Sequence, residues 1–175
     1  MKKILILIVI AALAFYIFKD DLLVTSNTTP KVDSNFTPDP SSATFIFDDG
    51  PVTLRDGSSE TIESGFVEET TLLEELSYGD INGDDELDTA VLLVRSGGAS
   101  GVFVYAAAYV SGPVGYRGTN AIFLGDRISP QSVSTSNRIV TVHYLDRRED
   151  EPFAAEPTVP ASKQFIYRNG QFEER

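Results

Sequence analysis

Four oxygen-bearing side chains recur at short intervals near the middle of the sequence. Asp80, Asn82, Asp84 and Asp88 occupy positions 1, 3, 5 and 9 of one segment. Calcium is a hard cation that takes about six to eight oxygen ligands, and a tight loop with alternate side chains turned inward supplies four of them. The backbone carbonyl of Glu86, at position 7, would add a fifth ligand and water the rest. The spacing predicts one structural Ca2+ ion held by these five residues.

The same segment resembles the calcium loop of FG-GAP and VCBS-type repeats, which reads Gly-Asp-x-Asn-Gly-Asp-Gly-x-x-Asp between two β-strands. Besides the four oxygen-bearing side chains, Gly79 and Gly83 match. The resemblance implies side-chain ligands at positions 1, 3, 5 and 9 and a carbonyl ligand at position 7. Asp85 departs from the pattern, because the family has a glycine with positive φ there. The EF-hand alternative fails, since Val91 stands where such loops need a bidentate Glu.

The charge of the chain is concentrated around this segment. The 175 residues carry a formal net charge of −12, and 12 acidic residues without any Lys or Arg lie between Asp56 and Val94. Closely packed carboxylates repel one another, so a nearby cation is expected. The acidic balance excludes nucleic acid as a partner, because phosphate binding needs clustered Lys and Arg. With no Cys and one His, thiolate sites and multi-histidine metal centres are excluded.

Sequence signatures of common enzyme classes are absent. There is no Gly-x-Ser-x-Gly elbow, His-Glu-x-x-His helix, phosphate-binding loop or dinucleotide fingerprint. His143 alternates with apolar residues on a predicted strand and is interpreted as a partly exposed structural residue. These features favour a non-enzymatic binding or envelope role with a protein or glycan partner. The alternative is a small hydrolase that cleaves an envelope polymer with a carboxylate pair. A concave face would favour binding if it were lined by Tyr105, Tyr109, Tyr116 and Arg117.

The N-terminus has the pattern of a membrane segment. Two lysines precede an apolar run over residues 4–18, which predicts an anchor over residues 1–24 in the inner or cytoplasmic membrane. The basic flank places the N-terminus inside and the domain in the periplasm or outside the cell, whereas cleavage after Ala14 would secrete the domain. Residues 25–43 are rich in Ser, Thr, Asn and Pro and predict a disordered linker. The remaining residues, 44–175, predict a single globular β domain. Outside the acidic segment, the sequence, including Gly125-Asp126-Arg127-Ile128-Ser129-Pro130-Gln131, resembles small exported bacterial proteins of no known function.

Strand patterns dominate the predicted domain. Leu87–Val94 and Val102–Val110 are nearly continuous apolar runs, which indicate a hairpin of strands buried on both faces. Asp56-Gly57 and Asn169-Gly170 are typical of tight hairpin turns, whereas Val67–Leu76 fits either a helix or a strand. The expected fold is mainly β, as an antiparallel meander, sandwich-like or half-barrel, preceded by one N-terminal transmembrane helix. Further strands are expected at Thr44–Phe47, Thr119–Leu124, Arg138–Leu145 and Lys163–Tyr167.

Overall fold

The computed structural model describes residues 36–63, 65–97, 101–152 and 154–175. The chain divides into two units, Met1–Phe36 and Thr37–Arg175, and almost all described residues belong to the second unit. The predicted membrane anchor over residues 1–24 lies outside the described residues. Within the described ranges, no helix has the length and apolar character of a membrane span.

The part of the chain that the structure describes contains thirteen β-strands and no helix. Their bounds are β1 Thr44–Phe47, β2 Gly50–Thr53, β3 Ser58–Glu63, β4 Phe66–Leu72, β5 Ser77–Gly79, β6 Asp88–Gly97, β7 Val102–Val110, β8 Arg117–Gly118, β9 Ile122–Asp126, β10 Ser129–Ser136, β11 Ile139–Asp146, β12 Val159–Arg168 and β13 Gln171–Glu174.

These strands form three sheets among the described residues. The largest has seven strands in the order β3-β4-β6-β7-β8, with β5 paired to β6 and β9 paired to β7. A four-stranded sheet runs β10-β11-β12-β13, and β1 pairs with β2. Neighbouring strands within each sheet are antiparallel. The mainly β, antiparallel fold predicted from the sequence is confirmed.

Strands β6 and β7 lie at the centre and are buried on both faces. Successive side chains of a strand point to opposite faces, so adjacent residues of β6 enter different cores. One face packs against the four-stranded sheet and contributes to a core that includes Leu92, Val104, Val142 and Phe165. The other face packs beneath the β1–β2 hairpin in a core that includes Leu93, Ala107, Phe45 and Phe47. The predicted two-sided burial of this strand pair is confirmed.

Both predicted tight turns are present. Asp56 and Gly57 have φ of 51° and 83°, and Asn169 and Gly170 have 52° and 84°, as expected when both central residues of a two-residue turn take positive φ. The ambiguous segment at residues 67–76 is a strand only as far as Leu72.

Strand β9 begins at Ile122, three residues later than the sequence predicted. Before it, the backbone bonds to Ile46, whose amide donates to the carbonyl of Thr119 at 3.1 Å and whose carbonyl accepts the amide of Ala121 at 2.8 Å. In addition, the hydroxyl of the buried Thr119 accepts the amide of Ala108 at 3.0 Å. A side chain thereby takes the place of a backbone acceptor, and the regular strand pairing starts only beyond it.

The second unit begins upstream of the predicted domain boundary at residue 44. The carbonyl of Pro38 accepts the hydroxyl of the buried Thr89 at 2.9 Å. The carbonyl of Ser41 accepts the amide of Gly57 at 2.9 Å, and Ala43 is buried. Residues 37–43 contribute few apolar side chains, but their backbone carbonyls satisfy donors on the sheet. The segment assigned to the linker by composition therefore packs on the domain at its C-terminal end.

Substitutions at Leu92 and Leu93 can test the burial of β6 on both faces, because these residues are adjacent, fully buried and in different cores. We expect Leu92→Ala and Leu93→Ala each to lower the free energy of unfolding by about 2 to 5 kcal/mol, since each leaves a cavity. Urea denaturation followed by far-UV circular dichroism measures both values. Ile62→Ala on an exposed position of β3 is the control and should cost less than about 1 kcal/mol. A large loss of unfolding free energy in only one of the two leucine variants would contradict the two-core arrangement.

Candidate metal centre

The predicted ligands lie on the connection between β5 and β6. Gly79 ends β5 and pairs with Asp88, which begins β6. The residues between them, 80–87, are called the acidic loop below. The loop therefore connects two paired strands, as the resemblance to the repeat calcium loops implied.

Asp88 is completely buried and organises the base of the loop. One carboxylate oxygen accepts the amides of Ile81 and Asn82 at 2.8 and 3.1 Å, and the other accepts the amide of Ser111 at 2.8 Å. A carboxylate has about four acceptor positions, so backbone amides take most of its capacity. Asp88 thus fastens the start of the loop to the chain that follows β7.

Three further side chains shape the loop by accepting amides a few residues ahead. Asp80 Oδ1 accepts the amide of Gly83 at 2.6 Å, Asn82 Oδ1 accepts that of Asp84 at 3.0 Å, and Asp84 Oδ1 accepts that of Glu86 at 3.0 Å. Asx turns of this kind are a property of short Asp and Asn side chains. They turn side-chain oxygens at positions 1, 3 and 5 towards the interior of the loop.

Ser111, which lies outside the predicted motif, completes the arrangement. Its hydroxyl donates a short hydrogen bond to Asp84 Oδ2, and its carbonyl accepts Asn82 Nδ2 at 3.0 Å. The same amide nitrogen donates to Asp84 Oδ2 at 3.0 Å. The hydroxyl of Tyr116 donates to the carbonyl of Leu87 at 2.9 Å. The segment after β7 therefore covers the loop from one side.

Arg138 supplies positive charge to the loop from another sheet. Its Nε lies 3.4 Å from Asp80 Oδ2, and a Cβ added at Gly83 would lie 2.8 Å from its Nη1. Arg138 stands in the two-residue turn between β10 and β11 with φ of 62°, after Asn137 with φ of 52°. A bulky side chain is uncommon at positive φ, so this ion pair is formed at a conformational cost.

Asp85 takes the conformation that the resemblance demands at its position. Its φ is 65°, in the left-handed region where the family has glycine and where Asp is tolerated better than most residues. Asp84, Asp85 and Glu86 are exposed. Burial raises the pKa of Asp84, but the hydrogen bonds from Ser111, the amide of Glu86 and Asn82 outweigh it, so the net pKa is lowered. Asp84 is therefore ionised at neutral pH.

The donor set is entirely oxygen and suits a hard cation such as Ca2+. Within the described ranges, no three His, Asp or Glu side chains form a cluster that could hold a metal ion without other ligands. Asp88 in particular is engaged with amides. A calcium ion would therefore draw on Asp80, Asn82 and Asp84, with Ser111 as an additional neutral oxygen, and on the carbonyl predicted at Glu86.

The aromatic residues singled out in the sequence belong to separate contacts. Tyr105 packs edge-on against Phe47 with ring centroids 4.9 Å apart. Tyr109 and Tyr116 lie against each other, with centroids 5.4 Å apart, beside the acidic loop. Arg117 donates to the hydroxyl of Tyr167 at 2.8 Å, and His143 is exposed on β11.

Comparison with known proteins gives no assignment by similarity. No family model matches the chain, and neither a curated protein nor a solved structure is significantly similar to it. The interpretation of the site therefore rests on its residues and their contacts.

Asp88 should matter for folding even without a metal ion. Asp88→Ala leaves three amides at the base of the loop without their acceptor, and we expect it to lower the free energy of unfolding in EDTA by about 3 kcal/mol or more. Asp88→Asn, which keeps the shape but turns an NH2 group towards an amide donor, should be destabilising in the same direction. Urea denaturation measures both changes.

Asp84→Ala is the comparison for Asp88, because this side chain is exposed. In EDTA it should cost less than about 1.5 kcal/mol. Equal losses at positions 84 and 88 would contradict the assignment of Asp88 as the buried anchor of the loop.

Proposed function

We propose that this chain is a non-enzymatic β module, tethered to a membrane by its N-terminal segment and working outside the cytoplasm, with one structural calcium ion at the acidic loop. The observation that carries the calcium proposal is the inward turn of side-chain oxygens from Asp80, Asn82 and Asp84, with Asp85 in the left-handed conformation. The tether is supported by the two lysines and the apolar residues 4–18.

A structural role for the ion is supported by what the loop connects. The loop joins β5 to β6, and Asn82 and Asp84 contact Ser111 beyond the end of β7. An ion bound there would link three strands of the large sheet. It would also neutralise Asp80 and Asp84, in a stretch of chain with no Lys or Arg of its own.

Asp49, which lies in a surface cavity with Glu68, lacks the property that a glycosidase-type general acid needs. A glycosidase-type general acid needs a raised pKa so that it carries a proton near neutral pH. The hydrogen bond from Arg95 holds the pKa of Asp49 below its usual range, against a smaller opposing effect of burial. Asp49 is therefore ionised at neutral pH and is not the general acid that the carboxylate-pair hydrolase of the alternative hypothesis would need.

Calcium should raise the thermal stability of the full chain. Extracellular modules bind calcium with Kd of about 10⁻⁴ to 10⁻³ M, so 5 mM calcium would contribute about 1 to 2.3 kcal/mol by mass action. At this chain length the melting temperature in calcium should be roughly 2 to 9 °C higher than in EDTA. The purified chain in a mild detergent is suitable, with near-UV circular dichroism of its tyrosines as the signal.

Asp84→Asn and Asp85→Asn form a matched pair for this experiment. Both remove one negative charge from neighbouring exposed positions of the loop, but only Asp84 is a proposed ligand. The calcium-dependent rise should be clearly smaller in Asp84→Asn, because a neutral amide oxygen is a weaker calcium ligand than a carboxylate, and it should persist in Asp85→Asn. Equal responses of the two variants, or no rise in the parent protein, would reject the calcium site.

Arg138→Gly should tighten calcium binding several-fold. The guanidinium competes with the ion for Asp80, and removing it leaves the carboxylate for calcium, while glycine suits the positive φ of the turn. Calcium titration of the melting temperature measures the change. Arg148→Gly is the control, because Arg148 also forms one exposed ion pair, at 3.2 Å to Glu151, but has no contact with the acidic loop. Unchanged or weaker affinity in Arg138→Gly would contradict the competition.

A further inference from the structure

A second feature lies at the opposite end of β6 from the acidic loop. It is a surface cavity of about 230 Å³. Arg95 stands seven residues from Asp88 along β6, which corresponds to roughly 23 Å of extended strand. The two features are therefore separate. The cavity is lined by Asp49, Glu68, Arg95, Ser96, Gly97, Phe103 and Tyr105.

Arg95 is held in place by groups of the protein itself. Its Nη1 and Nη2 donate to the two oxygens of Asp49 at 2.7 and 2.6 Å, and its Nε forms an ion pair with Glu68. The guanidinium carbon lies 5.0 Å from the ring centroid of Phe47, and the side chain is only 16% exposed. An anionic ligand would have to displace Asp49 or Glu68 from this arginine. The arrangement therefore does not favour anion binding.

The cavity keeps an excess of negative charge. Two carboxylates face one guanidinium, and the Asp49 and Glu68 side chains remain 60% and 36% exposed. Each carboxylate has about four acceptor positions, so both can accept further donors from solvent or from a ligand. The lowered pKa of Asp49 keeps its charge at neutral pH. This excess of negative charge favours a ligand that carries a positively charged hydrogen-bond donor.

Aromatic rings form one wall of the cavity. Tyr105 and Phe103 line it, and Phe123, which is 48% exposed, packs edge-on against both with centroids 5.7 and 6.1 Å away. Ring faces attract cations through their quadrupole and also contact apolar stems. Aromatic rings together with carboxylates are the combination that recognises organic cations.

Gly97 keeps the cavity open beside Glu68. The two residues are directly paired between β4 and β6, and a Cβ added at Gly97 would lie 3.0 Å from Glu68 Cγ. Any larger residue at this position would push the Glu68 side chain aside. The absence of a side chain at residue 97 therefore leaves room for the Glu68 side chain in its observed position.

We propose that this cavity binds an organic cation, an ammonium or guanidinium group on a short apolar stem. Asp49 and Glu68 accept its hydrogen bonds, and Tyr105 and Phe103 contact its stem. The volume is below the range of about 300 to 1,000 Å³ typical of drug-sized ligands, so the bound group is about the size of one long side chain. The same chemistry is present in a free diamine and in a Lys or Arg side chain of another polypeptide.

The test is a chemical-shift titration of the full-length, ¹⁵N-labelled chain in EDTA, which removes any bound calcium. The probes are n-butylammonium, n-butylguanidinium, cadaverine and a lysine tripeptide with blocked termini. Uncharged n-butanol and glucose are the controls. We expect the cations to give saturable shifts at the amides of Arg95 to Gly97, with at least five-fold tighter binding than n-butanol. Comparable binding of cadaverine and the tripeptide indicates a polypeptide side chain as ligand, whereas binding of cadaverine alone indicates a free diamine.

Glu68→Gln and Glu69→Gln are the matched variants, since they remove the same charge from adjacent residues of β4 and only Glu68 lines the cavity. Glu68→Gln should weaken cation binding at least five-fold and Glu69→Gln less than two-fold. Phe123→Leu, at an exposed position, should weaken it more than two-fold. Equal effects of the two glutamine variants, equal binding of n-butanol, preferential binding of glucose or the absence of saturation would each overturn the proposal. Because calcium is absent throughout, these outcomes are independent of the calcium site.

Discussion

The burial of β6 and β7 on both faces is the constraint from which the rest of the domain follows. Residues of these strands enter two cores, one against the four-stranded sheet and one beneath the β1–β2 hairpin. Side chains in the middle of the pair must be apolar or small, as in the fully buried run Ala106–Ala108. Charged side chains therefore lie near the ends of the strands: Asp88 begins β6, and Arg95 lies near its other end.

Asp88 and Arg95, near the two ends of β6, have different kinds of hydrogen-bond partners. Asp88 is fully enclosed and is satisfied by three backbone amides, which stabilises a charge without a counterion. Arg95 is partly enclosed and is satisfied by two carboxylates and an aromatic ring. The first arrangement leaves little capacity for a ligand and fixes the chain. The second leaves exposed carboxylate oxygens, so it combines a fixed geometry with capacity to bind.

The sequence was sufficient for local features and for the central strand pair. Continuous apolar runs identified β6 and β7, and dipeptides such as Asp56-Gly57 identified turns, because both signals depend on neighbouring residues. Ser111 was missed because its proximity depends on the register of the β6–β7 pair, in which Thr89 faces Tyr109. That register places Ser111 beside the acidic loop. If the centre of the β6–β7 hairpin had been placed near residue 99, the position of Ser111 could have been predicted. The positions of Arg138 and Asp49 depend on packing between sheets, and that of Glu68 depends on the pairing of β4 with β6. No local pattern encodes either.

Arg138 helps the acidic loop to keep its shape independently of an ion. The turn between β10 and β11 favours glycine at this position, yet the guanidinium lies beside Asp80 and offsets part of the charge of the loop. The amides that Asp80, Asn82 and Asp84 accept hold the backbone in place at the same time. The proposed ion would therefore enter a loop whose backbone is already ordered, which favours binding, but it would have to compete with the guanidinium for Asp80, which opposes binding.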